Sequence, residues 1–187
     1  VLDPDALLSV RAQGVKLPVV NTAFTALFLI GTLPRTLYDY DPAQPANSDN
    51  RPMVLTEINL IRLGPLSMLT MPGEILPEAV LGGYDGSLTG TPLYDLVQAD
   101  NPNPPALDLA PLPPYLVEEI PGTQRWVIGL GNDELGYIIP SYNFETHPET
   151  PYLDEADGHH YEETNSLGPD TEPILIGAAK ALLSWSP

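Results

Sequence analysis

Pro65-Leu66-Ser67-Met68-Leu69-Thr70-Met71-Pro72-Gly73-Glu74 decides how this chain is read. An apolar run stops at a Pro-Gly pair and delivers a carboxylate. Because the run is short and bounded by breakers, it reads as a buried strand rather than a helix. Ile75 to Leu81 follows and can open a helix, with Pro77 tolerated in its first turn. Glu74 then stands at a strand-to-helix junction, where α/β folds gather ligands and catalytic groups. A purely structural role is open as well, since a first-turn glutamate is favoured by the helix dipole.

Working backwards, Met53 to Leu63 alternates Thr56, Ile58 and Leu60 with Glu57 and Asn59, the period of a strand. Gly64-Pro65 turns the chain, so Leu66 to Met71 returns beside it. Leu37 to Pro52 is crowded with Asp, Asn and Pro and reads as a surface loop. Pro18 to Leu33 is a largely apolar core element, helix or strand, too short for a membrane span. Asp3 to Ala12, with acidic residues in its first turn, reads as a helix that Gly14 stops.

Working forwards, Tyr84 to Pro114 is a proline-rich insertion without periodicity, expected to lack long elements and to lie near a pocket mouth. Arg125 to Leu130 is the next strand and ends in Gly131-Asn132-Asp133-Glu134-Leu135-Gly136-Tyr137. Glu172 to Trp185 reads as a buried closing helix. The whole predicts an α/β fold, a mixed β-sheet with flanking helices after Glu74 and Gly168. The 187 residues suit a single domain, or the C-terminal portion of a larger catalytic one.

With 25 acidic against 7 basic residues the net charge is -18, which disfavours nucleic acid and anionic membranes. It suits a secreted, extracellular or periplasmic setting. No cysteine is present, so disulfides, thiolate metal sites and cysteine nucleophiles are excluded. No basic n-region precedes an apolar segment, so no intact signal peptide is read. Phosphate-loop, zincin and nucleophile-elbow motifs are absent, and the acidic loop before Gly158 does not fit an EF-hand. His159-His160-Tyr161-Glu162-Glu163 has metal-compatible side chains, but adjacent histidines point apart on most backbones. It reads as a polar loop, as does the stretch around His147.

Three segments in order carry a wider signal: Pro72-Gly73-Glu74 after a strand, the Asn132 to Tyr137 turn, and Tyr161-Glu162 leading through Gly168-Pro169 into a helix. Together they resemble the neutral ceramidases and their bacterial relatives, over roughly Thr56 to Leu183. The resemblance implies a zinc amidohydrolase of ceramide-like N-acyl lipids. It carries zinc-ligand roles to Glu74 and Tyr137, and it assigns two histidine ligands to an upstream half of the same protein. The cofactor is then Zn2+, which would acidify a water toward a pKa of ~7 and polarise the substrate carbonyl. The sequence departs from the family in the insertion after Glu74, in Glu163-Thr164-Asn165, and in having no counterpart of the histidines within Val1 to Leu63. Two other functions stay open: a noncatalytic acidic secreted module on the same scaffold, and a hydrolase of another amide or ester.

Overall fold

The computed structural model of the chain describes residues 6–82 and 100–185. Strand β1 (Leu8–Pro18) leads into helix α1 (Thr22–Leu29), then β2 (Met53–Leu63), β3 (Leu66–Thr70) and β4 (Glu74–Ile75). Helices α2 (Pro77–Leu81) and α3 (Leu116–Glu119) precede β5 (Gln124–Ile128) and β6 (Tyr137–Ile138); α4 (Tyr161–Thr164) and α5 (Thr171–Leu183) close the chain. The main sheet has four strands in the order β1-β2-β3-β5. β1, β2 and β3 run antiparallel in turn and β5 joins β3 in parallel, which makes the sheet mixed. This is the α/β architecture that the alternating strand and helix patterns predict.

The β2–β3 hairpin forms where its period-2 pattern and Gly64-Pro65 place it, with Leu60 opposite Leu69. Gly64 adopts the left-handed φ of 55° that the turn requires. Leu17, Val54, Ile58, Leu60 and Leu69 are fully buried in one cluster with Leu175, Ala179 and Leu182 of α5. α5 packs on β1 and β2, so the closing helix covers one face of the sheet.

The N-terminal helix expected over Asp3 to Ala12 does not form over its described part; Leu8 onward is strand. Leu8, Val10 and Ala12 alternate with Ser9, Arg11 and Gln13, and pairing with β2 along all 11 residues outweighs the helical start signal. The apolar element after Pro18 resolves as helix α1. Of the proline-rich stretch, 84–99 lies outside the described residues, and the part from 100 to 114 holds only the single turn Leu107–Leu109.

Candidate functional site

Glu74 and Tyr137 lie 63 positions apart in sequence (137 − 74 = 63) and opposite each other in the fold. They are register partners in β4 and β6, a parallel pair of two-residue strands just beyond the main sheet. Glu74 N–H donates to Gly136 O at 2.9 Å, and Leu76 N–H to Ile138 O at 3.2 Å. Glycine precedes each site residue for a steric reason. A Cβ on Gly73 would stand 2.4 Å from Gly136 O, and one on Gly136 would stand 1.9 Å from Asn165 O. Gly136 also takes a left-handed φ of 82°. The Pro-Gly-Glu and Leu-Gly-Tyr sequences thus allow two backbones to approach closely enough to align a carboxylate with a phenol.

A third side chain joins them. Tyr161, the first residue of α4, brings its Oη to 2.5 Å from Tyr137 Oη, with the rings edge to face. Tyr137 N–H donates to Asn165 O at 2.9 Å, which fixes α4 against β6. The Tyr137 phenol is held above its usual range, first by the hydrogen bond to Tyr161, then by partial burial and the neighbouring Glu74 carboxylate. Tyr137 therefore carries its proton at neutral pH in this arrangement.

These groups line a cleft of about 580 Å3 whose other walls are mostly apolar: Phe24 and Phe28 of α1, Leu33, Leu135 and Leu167. Asn21 holds those walls together from a fully buried position. Its Oδ1 caps α1 by accepting from Phe24 N–H at 3.0 Å. Its Nδ2 donates to Thr164 O at 3.0 Å and Ser166 O at 2.8 Å.

At the rim, Arg35 grips Asp133 with both guanidinium ends, at 2.5 and 2.9 Å, and Thr56 Oγ1 donates to the same carboxylate at 2.8 Å. Burial alone would raise Asp133. The Arg35 and Thr56 hydrogen bonds, the Glu134 N–H and the Arg35 charge outweigh it and hold the carboxyl below its usual range. Thr56 thus ties the turn that carries Tyr137 to β2, and Arg35 ties it to the segment after α1.

The histidines lie elsewhere. His159 and His160 line a separate polar cleft of about 190 Å3 with Glu78 and Glu163, and His147 bonds locally to Thr150. The polar-loop reading does not describe His160, which is buried. Its Nδ1 meets Glu163 Oε1 at 2.8 Å and its Nε2 meets Asn103 O at 3.0 Å. Burial opposes the charge on His160, but these two acceptors raise its pKa overall. The pair fastens the segment from Asn101 to Asn103 onto α4.

Among the described residues no three His, Cys, Asp or Glu side chains converge on a common point. The donors that do converge are the Glu74 carboxylate and the Tyr137 and Tyr161 hydroxyls. Zinc accepts such hard oxygens but prefers them alongside nitrogen, so the set fits part of a zinc site and needs further ligands. No helix among the described residues is long and apolar enough to cross a membrane. Comparison with protein-family models, with curated proteins and with solved structures finds no match.

Proposed function

We propose that Glu74 and Tyr137 are two ligands of a zinc ion in a hydrolase that cleaves the amide bond of a ceramide-like N-acyl lipid. The observation that carries this reading is their register pairing in β4 and β6, on the wall of an apolar cleft. Random placement of two surface residues gives no such pairing, and both stand where the three-segment resemblance assigns ligands. Two imidazoles supplied by an upstream half of the same protein would complete the set. The net charge of -18 supports a secreted setting.

Zinc bound there would polarise the amide carbonyl and acidify a water. The chain's own residues do the rest. Glu74 contributes a full negative charge. Tyr137 offers a neutral phenol beside the Glu74 carboxylate, the one group here that could accept its proton, and Tyr161 Oη hydrogen-bonds and orients it. Phe24, Phe28 and Leu167 exclude water along the cleft and give an acyl chain an apolar wall. The cleft volume lies within the range typical of small-molecule sites, about 300–1,000 Å3.

The test is zinc content by elemental analysis together with fatty-acid release from a ceramide-like substrate, in the polypeptide that includes the upstream half. Glu74→Gln removes a charged ligand and keeps its shape, so both quantities should fall steeply. Full activity in that variant would refute the assignment. A protein that holds no zinc would favour the noncatalytic module.

A further inference from the structure

The polar cleft of about 190 Å3 beside His159 and His160 is lined by neither Glu74 nor Tyr137. Three carboxylates line it, those of Glu78, Glu162 and Glu163, together with the carboxamides of Asn101 and Asn143. No lysine or arginine is among the described residues of its wall. The wall is gathered from four segments: α2, the stretch from Asn101 to Pro105, the turn that ends at Asn143, and the run from Gly158 into α4. In a chain of net charge -18, grouped carboxylates mean little by themselves.

Glu163 sets this group apart. Its side chain is only 3% exposed. Oε1 is taken up by the protein, accepting from Glu145 N–H at 3.1 Å and meeting His160 Nδ1 at 2.8 Å. Oε2 is buried and has no hydrogen-bond partner in the protein. A buried carboxylate oxygen left unmatched is costly. The carboxylate is thus divided, with one oxygen held by the fold and the other left for the cleft.

His160 fixes that orientation. Its ring is buried, and its Nε2 meets Asn103 O at 3.0 Å, so carboxylate, imidazole and backbone carbonyl form a chain. Carboxylates that bind metal ions are commonly steered by an outer partner of this kind. Gly158 serves the opposite wall. A Cβ there would stand 2.2 Å from Asn101 Oδ1, so glycine makes room for the carboxamide. That oxygen accepts from Asn103 N–H at 2.9 Å and keeps a second lone pair.

The donor set selects the ligand. Its oxygens are hard, partly anionic and drawn from separate segments. Among the described residues no three His, Cys, Asp or Glu are placed to hold a metal by themselves, which disfavours zinc and its neighbours here. Calcium needs no such trio. It takes about six to eight oxygens in irregular geometry, from carboxylates, amides and water, whereas magnesium demands a near-ideal octahedron. At about 30 Å3 for each water, the cleft has room for an ion that keeps several.

We propose that this cleft is a calcium site, with Glu163 Oε2 as a direct ligand and Glu78, Glu162, Asn101 and Asn143 supplying oxygen directly or through water. A cation held there ties α2, which follows β4 and Glu74, to α4, whose Tyr161 meets Tyr137. It links two elements that flank the Glu74 and Tyr137 pair, and it does not depend on zinc at that pair.

The experiment is a calcium titration of the 187-residue chain after chelator treatment, at physiological ionic strength to screen diffuse binding to the acidic surface. Calorimetry should show one saturable calcium per chain with magnesium weaker, and calcium should raise the melting temperature. Glu163→Gln should weaken binding at least about tenfold, the cost of losing even an outer partner. Asp49→Asn, exposed in the loop before β2, should leave it unchanged. Glu74→Gln should leave it unchanged too, which separates this site from the zinc reading. The unsubstituted chain decides even where Glu163→Gln fails to fold, because the absence of saturable binding in it would overturn the proposal. Calcium binding that survives Glu163→Gln, or that is lost with Glu74→Gln, would overturn it, as would tighter binding of magnesium.

Discussion

Replacing Asn21 by alanine tests how the cleft is held together. The substitution removes the cap acceptor of α1 and two donors, Nδ2 to Thr164 O and to Ser166 O, from a fully buried position. Loss of an N-cap costs about 1 kcal/mol. Each lost hydrogen bond adds about 1 kcal/mol, and more where the abandoned carbonyl stays dry. The sum is about 3 kcal/mol. For a domain of this size, that corresponds to a fall of about 6–12 °C in melting temperature. Asn21→Asp makes the test specific. Aspartate caps as well as asparagine, so a residue that only caps would tolerate it. Here the new carboxylate would face two carbonyl oxygens, and the variant should be at least as unstable as Asn21→Ala. Thermal and urea denaturation followed by circular dichroism measure both. An Asn21→Asp protein as stable as the parent would refute the three-bond account.

Three further outcomes follow from the titratable groups. Burial pushes Glu172 up to about 7 against the Ser141 N–H, which favours the charged form. The folded value lies above the unfolded one, so this contribution is full below the ordinary value of 4.5 and is lost as pH rises through about 7. Glu172→Gln should flatten that part of the melting-temperature profile; an unchanged profile would contradict the burial argument. Asp133 has the opposite sign: its lowered pKa stabilises above the ordinary carboxylate range, and the benefit is lost as pH falls through the folded value. Arg35→Met should cost about 2 kcal/mol at neutral pH by urea denaturation, with a smaller difference from the parent in acid; a constant difference would argue against the ion pair. Tyr161→Phe removes the largest cause of the raised Tyr137 pKa, so Tyr137 should ionise at lower pH in a titration followed by its own ring signals in nuclear magnetic resonance. An unmoved titration would mean that the 2.5 Å contact does not persist in solution.

Much of this architecture is readable from local pattern. The Met53 to Leu63 alternation, Gly64-Pro65 and the run to Met71 specify the hairpin because turn chemistry and period agree there. The approach of Glu74 to Tyr137 is also legible, because each follows a strand and a glycine. What escaped depends on distant partners. The sequence Asp3 to Ala12 carries a helix-start signal, and only the pairing of β1 with β2 from Leu8 onward reveals a strand. Arg35 and Asp133 are 98 positions apart and carry no joint local signal. His160 belongs to a polar-looking stretch, yet Glu163 and Asn103 O draw it inside. The cap at Asn21 could have been found, since Asn before an apolar run is a helix-start signature. Its two bonds to the segment before α5 could not.

The central claim is that Glu74 and Tyr137 present metal-binding oxygens side by side, and a zinc titration of the 187-residue chain itself, followed by calorimetry, tests it most directly. Two oxygens without nitrogen partners bind zinc weakly. The account predicts weak binding that Glu74→Gln and Tyr137→Phe each abolish, with no hydrolysis of an N-acyl lipid. Tight binding that survives both substitutions would contradict it and move the metal to His147, His159 or His160.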